Sequence, residues 1–126
     1  MKCMTDTNCV FCAITAGQSP AFVCREWNDA VAIRPRRGGV NEGHLLILPR
    51  IHVPDAGADP EVTAAVMRRA AVVLAGYPSA NLITSKGKPA TQSVSHLHVH
   101  VFPRKSGDGL ALPWSEQQAA AAGASS

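Results

Sequence analysis

Aromatic side chains are scarce in this chain, at 5% of 126 residues, and charged ones make up only 17%. A core with so few rings must be assembled from Val, Leu, Ile and Ala. The net charge is +3, without the basic stripe that a nucleic-acid groove calls for, so nucleic acid is not an expected partner. Arg34, Arg36 and Arg37, and the pair Arg104 and Lys105, are the local clusters that could receive a phosphate. No apolar run approaches the length of a membrane span, so no membrane partner is expected. The N-terminal "MKCMTDTNCVFCAITAG" lacks the apolar stretch of a secretory signal. These absences predict a cytoplasmic protein, in which four cysteines serve as thiols or metal ligands rather than disulfides. No internal repeat is present, and the length suits one domain. Residues 1–115 form that domain in this reading, and 116–126, "EQQAAAAGASS", form a low-complexity tail.

What is present predicts an α+β domain. "NCVFCAITAGQSP" reads as a short helix over Val10 to Ala16, closed by Gly17 and Pro20. "AFVCREWNDAVAIRP" reads as two strands joined at Trp27-Asn28-Asp29, followed by the Gly-rich loop "RRGGVNEG". "HLLILPR" is a short buried strand. "DPEVTAAVMRRAAVVLAGY" is the one long helix, with Asp59 as N-cap, Pro60 as first residue and Gly76 at its end. "ANLITS" is a further strand, "KGKPATQ" a loop, and "SHLHVHVFPR" the last strand. About five strands in a mainly antiparallel sheet, with one long helix and a short N-terminal one, is the expected fold.

The last strand holds His96, His98 and His100. Strand side chains alternate, so the three imidazoles share one face while Leu97, Val99 and Val101 face the core. Imidazole serves as metal ligand, acid, base or nucleophile near neutral pH. The plain alternative, polar residues on an exposed sheet face, does not explain strict alternation beside Gln92, Ser93 and Ser95. The other two histidines, His44 and His52, bracket "HLLILPRIH". If both strands share a sheet, all five imidazoles can converge. Cys9 and Cys12 form a CxxC, which by itself fits a redox pair, two bystander thiols or half of a metal site. Cys3 and Cys24 are read as bystanders.

The run His96-Leu97-His98-Val99-His100-Val101-Phe102 resembles the histidine triad (HIT) family pattern, His-φ-His-φ-His-φ-φ with φ apolar. "GHLLILPRIH", "TQSVSH" and "NCVFCAITAGQSPA" extend the resemblance in order and spacing over roughly residues 8 to 114. The resemblance implies a HIT-like fold, a homodimer, and a nucleotide hydrolase or nucleotidyl transferase acting on a purine nucleotide or nucleotide conjugate. It assigns His98 as nucleophile at the α-phosphate, forming a nucleotidyl-histidine that water releases. His100 would assist at the phosphate, supported by His44, and Gln92 and Ser93 would contact the phosphate or leaving group. It also implies a structural zinc ion held by Cys9, Cys12, His52 and His96.

Three positions depart from the family pattern. Arg36 stands eight residues before His44, where relatives place an acidic residue that accepts bonds from ribose hydroxyls. Ser85 stands where Asn is common, and Thr91 where a glycine precedes the phosphate-contacting Gln. A guanidinium cannot accept hydrogen bonds, so Arg36 and Ser85, as substrate-binding candidates, leave the nucleotide open. A nucleoside phosphoramidate is the first substrate class expected. The alternatives are a dinucleoside polyphosphate hydrolase or phosphorylase, a zinc-stabilised nucleotide-binding module with little turnover, and a catalytic metal bound by the triad itself.

Overall fold

The computed structural model describes residues 9–118. Its elements are α1 (Val10–Thr15), β1 (Val23–Glu26), β2 (Ala30–Ile33), β3 (Leu45–Pro49), α2 (Pro60–Leu74), β4 (Ala80–Ile83) and β5 (Val99–Pro103). The five strands make one sheet in the order β1-β2-β3-β5-β4. Every neighbouring pair is antiparallel. Cys3 lies outside the described residues, as does the tail beyond residue 118; residues 115–118 are helical.

The sheet has two covered faces. Ala32, Ile47, Leu97, Val99 and Val101 point to one, where they meet Val66, Ala70 and Val73 of α2. These helix residues recur at the spacing that lines one helical face, and Ala70 lets the backbone approach closely. Asp59 caps the helix by accepting from the N–H groups of Glu61 at 3.0 Å and Val62 at 3.4 Å. The other face carries Val31, Ile33, Leu46 and Leu48, covered by Cys9, Phe11 and Cys12 of the N-terminal segment. Strands β2 and β3 are therefore apolar on both sides, which is why they show no polar alternation.

The strand expected over the whole histidine run is shorter than the sequence suggests. Pairing begins at Val99, so His96, in a bend, and His98 lie ahead of β5. The backbone there is bound elsewhere: His96 N–H donates to Val94 O at 2.9 Å and Leu97 N–H to Val53 O at 2.8 Å. Thr84 Oγ1 donates to His98 O at 2.8 Å. The alternation of faces survives nonetheless. Leu97, Val99 and Val101 are at most 1% exposed on the α2 side.

The Arg104 half of the expected phosphate clusters is already committed. Arg104 donates to both carboxylate oxygens of Asp108 at 2.8 and 3.1 Å, to Asn81 Oδ1 at 2.6 Å and to Leu110 O at 2.7 Å. It ties β4 to the turn after β5 and is not a phosphate receptor.

Candidate active site and metal centre

The five imidazoles fall into two groups on the α1 face. His44, at the entry to β3, lies beside His100, whose residue pairs with Leu46 across the β3–β5 ladder. His44 Nε2 and His100 Nδ1 are 3.0 Å apart, and the His98 and His100 ring centres are 5.1 Å apart. The second group is His52 and His96, with their Nδ1 atoms 3.1 Å apart. His96 links the groups, because its carbonyl oxygen accepts from His98 Nδ1 at 2.8 Å.

Hydrogen-bond partners assign the tautomers of the first group. Only a ring N–H can donate to a carbonyl, so His98 carries its hydrogen on Nδ1 and keeps a lone pair on Nε2. Val40 N–H donates to His44 Nδ1 at 3.0 Å, so the His44 hydrogen is on Nε2. That hydrogen is donated to His100 Nδ1, so the neutral His100 carries its own on Nε2. Two neighbouring rings thus present opposite characters, a bare nitrogen on His98 and an N–H on His100.

Burial keeps these rings neutral. Desolvation is the largest cause of the lowered pKa of His98 and of His44. For His100 it acts together with the neighbouring His98 and His44 and pushes the value from 6.5 to about 4. Phe11, which the sequence did not single out, sets much of that environment. Its ring stands edge-on to His98 at 5.0 Å and to His96 at 5.8 Å.

The loop before His44 is shaped to this relay. A Cβ on Gly39 would lie 2.1 Å from His44 Nδ1 and 2.9 Å from Pro35 Cγ, and its φ is +65°. Only glycine lets the chain pass there and turn the Val40 amide onto the ring. The Gly-Gly pair in "RRGGVNEG" was the available signal for this, but nothing in the sequence says which ring it meets.

In the second group the ligand atoms of Cys9, Cys12, His52 and His96 all lie within 4.8 Å of one another. Cys9 Sγ and Cys12 Sγ are 3.4 and 3.5 Å from His96 Nδ1, and Cys12 Sγ is 3.2 Å from His52 Nδ1. A tetrahedral centre with two sulfur and two nitrogen ligands spaces its donor atoms roughly 3.3–3.8 Å apart. The donor chemistry fits as well. His96 Nε2 donates to Pro49 O at 3.0 Å, which leaves Nδ1 as a lone pair aimed into the cluster. Cys9 Sγ accepts from Cys12 N–H at 3.4 Å, which fixes the sulfur beside the cluster. His96 is fully buried, and burial, the largest cause, pushes its pKa to about 4. These four residues could bind one metal ion.

The substrate-binding candidates are placed less uniformly. Gln92 accepts from Gly87 N–H at 2.8 Å and donates to Pro54 O at 2.7 Å and Val94 O at 3.1 Å. Its amide braces the loop ahead of His96. Ser93 is exposed on that loop and Ser85 is half-buried just past β4. Arg36 lines a cavity on the α1 face with Phe11 and Leu46. Thr91 sits at φ +71°, a left-handed conformation that suits the glycine of the family pattern. No described helix is long and apolar enough to cross a membrane.

The HIT domain model matches residues 16–107. An adenylylsulfatase of Arabidopsis thaliana is 34% identical over 110 residues, covering 82% of this chain and 55% of its own length. The chain thus spans little more than half of that relative. An adenosine 5′-monophosphoramidase of Saccharomyces cerevisiae is 31% identical over 123 residues, covering 90% of this chain and 73% of its own length. A solved HIT family structure from Bacillus anthracis superposes with a TM-score of 0.76 at 27% identity, covering 96% of this chain and 98% of that one. With the matching domain model, relatives and fold, the chain belongs to the HIT family.

Proposed function

We propose that the protein hydrolyses a nucleotide conjugate at its α-phosphate through a nucleotidyl-His98 intermediate, and that Cys9, Cys12, His52 and His96 hold a structural zinc ion. The observation that carries the reading is the pair of opposed tautomers. His98 keeps an unprotonated Nε2 because His96 O holds its other hydrogen, and His100 presents an N–H because His44 occupies its Nδ1. A neutral imidazole is a competent nucleophile, and a fixed N–H beside it stabilises charge that develops at phosphorus. The names of two relatives, an adenylylsulfatase and an adenosine 5′-monophosphoramidase, support a nucleotide conjugate as substrate.

In the first step His98 Nε2 bonds to phosphorus and the bond to the leaving group breaks, its electron pair departing with that group. The phosphorylated ring is an imidazolium whose Nδ1–H remains on His96 O. Water then bonds to phosphorus, the P–Nε2 bond breaks, one water proton is released, and neutral His98 returns. His100 Nε2–H donates to the oxygens or leaving atom in both steps. The zinc ion, when bound, fixes the N-terminal segment and His96 to the sheet. Four protein ligands leave no open position for water, so no step runs through it.

The test is acid quenching of the zinc-loaded protein with adenosine 5′-phosphoramidate or adenylyl sulfate, followed by mass spectrometry. A mass gain of one adenylyl group on the His98 peptide is expected. His98→Ala should lose turnover by at least about 10³-fold while still folding and binding zinc. Full activity in that variant overturns the reading. Dinucleoside polyphosphates in the same panel show which leaving group the site prefers.

A further inference from the structure

A cavity of about 630 Å³ opens on the α1 face. Phe11, Ile14, Phe22, Ile33, Leu46 and Val94 make its walls apolar, while Arg34 and Arg36 stand on either side of Pro35 along one edge. It adjoins the histidines at two points. Phe11 belongs to its wall and touches the His98 ring edge-on. Pro35 packs against the same spot at Gly39 that His44 Nδ1 does, so the Arg34–Arg36 edge runs beside the His44 relay. A molecule seated in the cavity with phosphorus at His98 would therefore share the cavity with Arg34 and Arg36.

The edge is purely cationic. Among the described residues no carboxylate lines the cavity, and the ion pairs found among them, at Arg50, Arg69 and Arg104, lie outside it. Arg34 is held in place: its guanidinium lies over the Phe22 ring at 5.5 Å and donates to Glu42 O at 2.8 Å. Guanidinium is a donor without an acceptor lone pair. A free sugar diol also has hydrogens to donate, and this edge gives them no carboxylate or other side-chain acceptor. A phosphate group is acceptor-only at neutral pH and matches the planar fork of arginine in two bonds.

Building on the nucleotide reading above, we infer that the cavity selects nucleotides with a second phosphate on the sugar, at the 2′ or 3′ position, over those with a free 2′,3′-diol. Arg36 is the specificity-determining residue and Arg34 its braced neighbour. The apolar walls take the base and the 5′-phosphate reaches His98.

Calorimetric titration of the zinc-loaded wild-type protein with AMP, adenosine 2′,5′-bisphosphate and adenosine 3′,5′-bisphosphate tests this without turnover. One bisphosphate should bind at least about tenfold more tightly than AMP, roughly what a charge-assisted hydrogen bond contributes, and the tighter one identifies the sugar position. Arg36→Gln should remove most of that preference. Arg68→Gln, an exposed arginine on α2 across the sheet, should leave it intact and so excludes a general charge effect. Equal or tighter binding of AMP, or a preference that survives Arg36→Gln, overturns the inference while leaving the nucleotide reading standing. Failure of all three nucleotides to bind overturns both.

Discussion

Two clusters of imidazoles sit side by side in this molecule, and their ring nitrogens are arranged in opposite ways. Around His52 and His96, the Nδ1 atoms converge with two sulfurs on a common point. Around His98 and His100, the nitrogens are chained donor to acceptor, and the last one on each ring is left open. The residue type is the same. What differs is the partner of the distal nitrogen: Pro49 O turns the His96 lone pair inward, whereas His96 O turns the His98 lone pair outward. A backbone carbonyl two residues away thus separates a nitrogen aimed into the Cys-His cluster from one left open. The two clusters are also mechanically joined, because the carbonyl that orients His98 belongs to His96 of the convergent cluster.

The largest effect should come from breaking the convergent cluster. Chelating the metal, or substituting Cys12→Ala, removes the closing centre and leaves His52, His96 and the remaining thiol packed without it. The expected outcome is loss of one equivalent of zinc by elemental analysis and several kcal/mol of stability by denaturant unfolding. Turnover should fall with it, since His96 O no longer holds His98 in register. A chelated protein that melts unchanged contradicts the metal assignment; one that loses stability but keeps full activity shows that the clusters are independent.

The chained cluster can be disturbed alone at Gly39. Gly39→Ala would press a methyl group into His44 Nδ1, whereas Gly38→Ala, at φ +82° with nothing within 4 Å, adds only backbone strain. Both changes carry a cost of order 1–3 kcal/mol for a side chain in the left-handed region. Only the first displaces His44 from the Val40 amide. Gly39→Ala is expected to lower kcat by about 10- to 100-fold with zinc content unchanged, with Gly38→Ala near wild type. Nitrogen chemical shifts of the His44 and His100 rings should show mixed tautomers in the first variant only. Equal effects of the two substitutions would reduce the relay to ordinary loop packing.

Much of this layout is legible from residues alone, and the rest is not for identifiable reasons. Alternation placed Leu97, Val99 and Val101 against α2 because burial of apolar side chains enforces one face per strand. Asp59-Pro60 marks the start of α2 because capping chemistry is local. The family resemblance, not spacing, assembled Cys9 and Cys12 with His52 and His96, which lie up to 87 residues apart in the chain. Tautomers were out of reach, since Val40 N–H, Pro49 O and His96 O are backbone groups that no side-chain pattern reports. Arg104 misled for a different reason, because pairing between side chains is fixed only by the fold. A basic residue beside the histidine strand reads as a phosphate receptor until Asp108 and Asn81 are seen to occupy it.

Proton uptake sharpens the contrast further. His100 has its pKa pushed from 6.5 to about 4, mainly by burial, and His98 moves in the same direction. The unfolded chain therefore binds more protons than the folded one between these values. Stability from the buried neutral rings is fully present above pH 6.5 and is lost as pH falls from 6.5 through about 4. Turnover of a substrate whose leaving group departs as a weakly basic anion should stay level from neutral pH to below 6.5, with its acid limb displaced below 6.5 because burial lowers the pKa of both rings. A pH–rate profile with its limb at or above 6.5 would mean that water reaches these rings, and the two clusters would no longer differ in the way described.

The smallest effect concerns the loop that braces both clusters. Gln92 reaches back to Pro54 O, just past His52, and to Val94 O, just before His96, while Thr91 before it is held at φ +71° and ψ +24°. A β-branched residue is strained there, by about 1 kcal/mol or somewhat more. Thr91→Gly removes the strain but gives the unfolded chain more freedom, an offset of roughly 0.5–1 kcal/mol. The net expectation is a gain of no more than about 1 kcal/mol by denaturant unfolding. Zinc affinity and kcat should both hold if the loop only braces the two centres. A change in kcat with zinc affinity constant would place Thr91 on the side of the chained cluster, where its backbone meets substrate. A change in zinc affinity alone would place it with the convergent one.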